Sequence, residues 1–264
     1  MKKILSYLNY LVTIGKLSYM SSAMYRTDHI LRYVRIILEF SVTILTINII
    51  FSHTRSLGGY TKNEVFLAYS IWLFILCVYY FLTSGSNYQT SRDIRLGDLD
   101  VLLIKPLDSQ FLATFRMIHI DNLVRIFGSI VVFIYAFRNI NLNPTLITYL
   151  TFLLQLIGGT IIFSCFNFIA VIMTFATQGG EQMALFDSLM QLGKFPTDIY
   201  PRNLAVILWT IIPLVYFGTI PLKTLLNRTS AIDTIVSFVA PVLFLLITRY
   251  LWSVSLRHYS SASS

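Results

Sequence analysis

Charged residues are scarce in this chain. Asp, Glu, Lys and Arg make up 12% of its 264 residues, hydrophobic residues make up 56%, and mean hydropathy is +0.70. A soluble domain carries roughly twice that charge, and a water-soluble fold of this length could not hide so much apolar surface. Cysteine is nearly missing too. Cys77 and Cys165 sit inside apolar runs and form neither a disulfide framework nor a metal motif. His29, His53, His119 and His258 are scattered, so no metal site is expected. There is no G-x-x-x-x-G-K-[ST] loop, and Gly15-Lys16 and Gly193-Lys194 lack its context. The chain therefore has no such means of cradling nucleotide phosphates. No Ser/His/Asp or Cys/His grouping appears either, so no catalytic residue is assigned.

The charge that is present is mostly positive, with 20 Lys plus Arg against 12 Asp plus Glu, a net charge of +8. These residues lie between apolar runs and form no stripe, which argues against nucleic acid and for basic residues held at the cytoplasmic lipid surface. Spanning a bilayer takes about 20 mostly apolar residues. Such runs cover residues 33–52, 65–83, 122–137, 145–176 and 232–252. The fourth exceeds one straight span, so either Gly158-Gly159 bends it or its end protrudes.

Two readings stand for the rest. Residues 203–222 are the fifth span and 181–200 stay cytoplasmic, or residues 181–195 are the fifth span and 203–226 dip into the outer leaflet and return. Irregular backbone at that depth survives only where protein buries it or it lines a cavity. Both readings give an all-α integral membrane protein with six transmembrane helices in a single domain over residues 1–264. Lys2, Lys3, Lys16, Arg26, Arg32 and Arg35 precede the first span, and Arg92, Arg95, Lys105, Arg116 and Arg125 lie in or beside the loop after the second. This bias puts both termini and residues 84–121 in the cytoplasm. Trp72, Trp209 and Trp252 are expected as interfacial anchors. Near the N-terminus, Ile4, Leu5, Leu8, Leu11 and Val12 share a helical face, with Lys2, Ser6 and Asn9 away from it. That pattern suits an amphipathic helix on the cytoplasmic surface, within a cytoplasmic segment 1–30, rather than a signal peptide. The small polar tail, residues 260–264, is expected to fray.

The most informative stretch is residues 91–111, SRDIRLGDLDVLLIKPLDSQF. It is too charged to span a membrane and too apolar to float free. Gly97 permits a sharp turn. Asp98 is expected to cap a short helix from Leu99 to about Ile104, and Pro106 ends it by disfavouring helix at Lys105. Leu99, Leu102 and Leu103 then share a face suited to the membrane surface or neighbouring helices, while Asp100 points elsewhere. A short stiff helix pinned to the membrane could receive force from a partner, with Arg92, Asp93, Arg95, Asp98 and Asp100 making ion pairs across the contact. The plainer reading is a solvated loop whose charges only orient the chain, and spacing alone does not separate the two.

The run from Arg95 to Leu107, RLGDLDVLLIKPL, resembles the motif of a branch of type-2 ABC exporter permeases. Phe195-Pro-Thr-Asp-Ile-Tyr-Pro201 is similar to a second family block. Ile212-Pro-Leu-Val followed by Pro221-Leu-Lys-Thr-Leu-Leu226 is similar to a third, and Trp252 through Ser263 to the C-terminal block, although it ends Ser-Ala-Ser where glycine is expected. The resemblance implies a cytoplasmic coupling helix, with an ATPase interface at Arg92, Asp93, Arg95, Gly97, Asp98, Asp100, Lys105 and Pro106. It implies a separate ABC ATPase that binds ATP and Mg, this chain holding no cofactor. It further implies a second permease chain, identical or homologous, and favours a re-entrant 203–226. The expected function is outward transport of a small molecule, peptide or lipid-like compound across the bacterial plasma membrane, by alternating access. A membrane enzyme acting on lipid and a noncatalytic channel or scaffold are the alternatives. The enzyme would need acid/base groups at one membrane face, where Asp98 and Asp100 have no histidine beside them.

Polar residues inside the spans are candidates for the translocation path: Glu39, Asn48, Gln155 and Asn167. Each also has a bland reading. Arg35, one turn before Glu39, can pair with it, and the three amides can bond across helices.

Overall fold

The computed structural model describes residues 2–22, 26–140, 142–177, 179–257 and 259, with backbone only at 2–4, 21, 22, 26–30 and 32. Among them the chain is helical, with one isolated bridge between Leu57 and Tyr60. Five helices are long and apolar enough to cross a membrane, and six are if one bent pair counts as a span.

Helix α1 (Lys2–Ser22) is not among the long apolar helices. It turns Tyr7, Tyr10 and Leu11 toward the protein and leaves Leu5, Leu8 and Val12 exposed on an adjoining face. Helix α2 (Arg26–His53) is the first crossing helix. Its turn to α3 (Lys62–Leu82) needs Gly58 and Gly59 at positive φ, and Ile199 lies so close that a Cβ on Gly58 would meet it at 2.9 Å. Thr61 and Glu64 close the start of α3 as a reciprocal capping box. Glu64 also pairs with Arg228 at 2.8 Å, which brings residue 228 to this same end of the bundle.

After α3 the segment 84–121 is not an open loop. Helix α4 (Ser84–Leu96) continues almost directly from α3, and α5 (Asp100–Leu103), α6 (Ser109–Phe115) and a 3₁₀ turn follow before α7 (Leu123–Arg138) returns along α3. Helix α8 (Leu146–Thr177) then runs unbroken for 32 residues. Gly158 and Gly159 do not interrupt it. They permit close approach instead: a Cβ on Gly158 would lie 2.9 Å from Pro241 Cγ, and one on Gly159 2.9 Å from the Tyr216 carbonyl oxygen. At 1.5 Å per residue α8 is about 48 Å long, well beyond a hydrocarbon core of about 30 Å.

Helix α9 (Glu181–Met190) starts beside the C-terminal end of α8, where Gln182 donates to Thr174 Oγ1 at 2.9 Å. By Met190 the chain has reached the middle of α3, since the buried Trp72 indole donates to the Met190 carbonyl at 3.0 Å. By Asp198 it has reached the α2–α3 turn, where Tyr60 donates to that carboxylate at 2.6 Å. Helices α10 (Arg202–Thr210) and α11 (Thr219–Leu225) then form the bent pair, with an 80° angle between Arg202–Thr210 and Leu214–Leu225. The bend lies deep, with Phe217 against Phe163 and Tyr216 against Gly159, while Lys223 returns to Asp198 at 2.7 Å. Both ends of residues 198–228 thus sit at the end that holds the α2–α3 turn. Helix α12 (Ala231–Arg257) packs along α8 back to the end that holds α4–α6.

Two apolar clusters hold this together. One joins α3, α8, α10 and α11 around Trp72, Tyr79, Phe163 and Phe217, and the other joins α4–α6 to α8 and α12 around Leu99, Leu112, Phe168 and Trp252. Trp72 and Trp252 are therefore core residues, a correction to their expected interfacial role. A buried indole needs an acceptor, and Trp252 finds Ser109 Oγ at 3.1 Å. Residues 260–264 and His258 of the C-terminal block lie outside the described residues, as do the side chains of Lys2, Lys3, Arg26, His29 and Arg32.

Candidate coupling site

The segment 84–121 folds into a platform under the crossing helices. The sequence of α4, SGSNYQTSRDIRL, holds poor helix formers, so its helix depends on tertiary bonds. Thr90 Oγ1 donates to the Ala113 carbonyl (3.0 Å), Ser86 Oγ to the Met117 carbonyl (3.2 Å), and Ser91 shares a bond with Thr174 of α8 (3.0 Å). Gly97 ends α4 at φ +76°, and the Gly97 and Asp98 N–H groups close back on the Ile94 and Asp93 carbonyls. Leu99, and not Asp98, is the N-cap of α5, and no side chain caps it. The left-handed glycine already ends α4 and aims the chain, and Asp98 is left exposed. Leu99 and Leu102 are buried and Leu103 half-buried, so the apolar face lies as the spacing predicts.

The charged residues of this stretch divide by placement. Arg92, Arg95, Asp98, Lys105 and Pro106 are exposed and Asp100 half-exposed. Between them stand three apolar side chains that the sequence reading passed over: Leu96, Val101 and Ile104, the last 81% exposed. Their signal was available as the complement of the Leu99-Leu102 face. The Arg95 guanidinium lies over Gly180, at the start of α9. Asp93 is turned inward. It pairs with Arg116 and accepts a bond from Gln89 at 2.9 Å.

Tyr88 and Asp187 are a second link that the sequence did not reveal. The Tyr88 hydroxyl on α4 donates to Asp187 on α9 at 2.6 Å. Burial, reinforced by the carboxylate, holds the Tyr88 phenol above its usual range, so it stays a donor at neutral pH. At the other end of α5, Asp108 caps α6 through the Phe111 N–H (3.0 Å) and pairs with Arg249 of α12 (2.6 Å). Burial alone would raise the Asp108 carboxyl, but the bonds from Arg249 and the backbone outweigh it and hold it below the usual value. Tyr259 accepts from the Leu99 N–H at 3.3 Å, which ties the chain's end to the platform.

The four candidates for a path are spread apart. Glu39 pairs with Arg125 of α7 at 3.1 Å and not with Arg35, which faces outward. An ion pair between helices excludes lipid better than one along a single exposed face. Asn48 and Asn167 donate to carbonyls one turn back, Ile44 and Phe163. Gln155 donates across to Ser237 of α12 at 3.2 Å. The Oδ1 of Asn167 and Oε1 of Gln155 are buried without a hydrogen-bond partner. Among the described residues no group of three His, Cys, Asp or Glu is placed to hold a metal ion.

Long apolar helices above a folded, charged platform define an all-α, multi-pass membrane protein. The chain belongs to the ABC-2 family of transporter proteins, whose defining sequence pattern matches residues 37–263. Membership makes it a membrane subunit of an ABC transporter and implies an ABC ATPase on another chain. Neither a curated protein nor a solved structure matches it.

Proposed function

We propose that this chain is the permease of an ATP-driven exporter and that α4 and α5 form its coupling element, docking on the ATPase through Arg92, Arg95, Asp98, Asp100, Lys105 and Pro106. Gly97 sets the angle between the two helices, and Asp93 braces them from within. The observation that carries this reading is the stiffness of the attachment. Helix α4 is bonded to α6 by Asp93–Arg116 and Thr90, to α8 by Ser91–Thr174, and to α9 by Tyr88–Asp187. Force applied to a loose loop would be lost in its bending, whereas force on this element reaches two crossing segments at once. The ATP and Mg belong to the ATPase, which closes on nucleotide and pushes the element. The permease pairs with a second, identical or homologous permease, and helix rearrangement opens a central cavity outward to release a small molecule, peptide or lipid-like compound.

In this reading α9 with the segment to Asp198 is the fifth crossing, and α10–α11 is a re-entrant element of the outer leaflet. Support comes from Tyr60–Asp198, Lys223–Asp198 and Arg228–Glu64, which place both its ends at one side of the bundle. Both termini are cytoplasmic, and the membrane is the bacterial plasma membrane. The resemblance of residues 95–107 to the motif of an exporter branch supports outward transport as the direction.

The deciding experiment is a mild-detergent pull-down of the tagged chain with mass spectrometry of co-purifying proteins. An ATPase bearing a phosphate loop, lost on mutating Arg95 and Asp100, supports the reading. A second permease in the same sample separates heteromer from homomer. A chain that purifies alone under conditions preserving complexes overturns it.

A further inference from the structure

A groove of about 510 Å³ lies between α6, α8 and α12, with the end of α3 as its back wall. Its volume falls within the range of ligand-sized cavities. The walls are apolar, built from Leu82, Phe111, Phe115, Ile161, Phe168 and Leu245. Hydroxyls also face it, and all but that of Ser164 have partners on their own helices. Thr160 donates to the Leu156 carbonyl, Thr248 to the Phe244 carbonyl and Thr114 to the Gln110 carbonyl, each at 2.8 Å. With most of its donors satisfied in this way, the wall suits a hydrocarbon chain better than a polar solute.

One end of the groove is charged, carrying Asp108, Gln110 and Arg249. Arg249 donates from Nη1 to Asp108 Oδ1 and to Gln110 Oε1, and its Nη2 lies in ion-pair contact with Asp108 Oδ2 at 2.6 Å. A guanidinium has five N–H donors, so two remain, on a side chain that is 54% exposed. The pair as a whole is neutral, with cation and anion both presented at the mouth. Depth agrees with this polarity. Arg249 lies 18 residues beyond Ala231, about 27 Å along α12, close to the length of helix that crosses a core of about 30 Å. Thr160 lies about 21 Å along α8 from Leu146, inside that core.

We infer that this groove holds one acyl chain of a zwitterionic membrane phospholipid, its phosphate on the free donors of Arg249 and its ammonium group toward Asp108. Only the leaflet rests on the orientation proposed above, which makes it the inner one. The lipid chemistry needs neither that orientation nor the ATPase.

The test uses the full chain in nanodiscs of ethanolamine phospholipid containing a trace of the same lipid with a photoactivatable acyl chain. Crosslinks are mapped by mass spectrometry. Labelling is expected at Phe111 and Leu245, with annular labelling at the exposed Val131 of α7 as reference. Ser164→Trp fills the groove from α8, and Leu245→Trp fills it from the exposed side of α12. Both variants are expected to lose the Phe111 label and keep the Val131 label, at an unchanged thermal midpoint. Arg249→Gln is expected to lower the Phe111 label about tenfold, as the loss of a charge-assisted bond would. Phe111 labelling that survives both tryptophans overturns the groove assignment. Equal labelling by a photoactivatable diacylglycerol, which has no phosphate, overturns the head-group assignment. Since no ATPase is present, a failed pull-down and a failed labelling experiment are told apart.

Discussion

Asp93 and Arg116 offer the most exacting test of the platform. The Asp93 side chain is 10% exposed and that of Arg116 26%. Arg116→Ala strands a carboxylate in a nearly dry site with only the neutral Gln89 amide beside it. Removing one partner of a buried pair costs about 3–5 kcal/mol. Arg116 keeps some contact with water, which discounts the loss to about 2–3 kcal/mol. Asp93→Asn keeps a hydrogen-bonding side chain and leaves the cation able to turn outward, so its cost is about 1 kcal/mol. The double variant removes the stranded charge and is expected to be more stable than Arg116→Ala, with a coupling energy of about 1–2 kcal/mol. All four proteins would be compared by thermal or denaturant midpoints in nanodiscs, followed by Trp252, which lies in the same cluster as the platform. Hydrogen exchange of the α4 amides, expected to quicken in Arg116→Ala ahead of the crossing helices, locates the loss. Single effects that add within about 0.5 kcal/mol would refute the brace.

Four further outcomes are expected. Asp100→Lys reverses a half-exposed charge and should leave membrane insertion intact while uncoupling hydrolysis from transport; unchanged transport in proteoliposomes counts against the docking surface. Gly159→Val should destabilise the bundle by about 1–3 kcal/mol, since its Cβ would meet the Tyr216 carbonyl at 2.9 Å and Ile75 at 2.8 Å; a midpoint equal to wild type would mean that the α10–α11 bend does not seat there. The depressed Asp108 carboxyl means its stabilisation is complete above the ordinary carboxylate range and is lost only as pH falls through the lower folded value. With Trp72 and Trp209 replaced by Phe, Trp252 emission should hold steady through that ordinary range and shift below it, and Arg249→Gln should move the change upward. Thr61→Ala removes one half of the α3 capping box and should cost about 1 kcal/mol, read as a lowered midpoint.

Hydropathy was enough to find the five long helices, because lipid tolerates few charges and each run ends where they return. It also marked the Leu99-Leu102 face and the Gly97 turn, both local properties. What it hid were long-range partners. Nothing in a linear string links Glu39 to Arg125, 86 residues away, or Tyr88 to Asp187, 99 residues away. Helix α4 escaped for the same reason: its Ser, Asn and Thr side chains read as loop until their acceptors on α6 and α8 are in place. The indoles of Trp72 and Trp252 read as interfacial because membrane tryptophans often are, yet each has an acceptor inside the protein.

An unbroken α8 has a mechanical consequence. With 32 residues and no hinge, it behaves as a single lever, its inner arm held by α4 at Thr174 and its outer half pressed on the α10–α11 bend at Gly159. The fulcrum lies at Gly158 and Gly159, where α8 rests on Pro241 of α12 and on the Tyr216 carbonyl. A tilt of a few degrees imposed at the platform end would swing the opposite tip the other way. The far face of the bundle would then register a push on the platform with no relay of side-chain rearrangements in between.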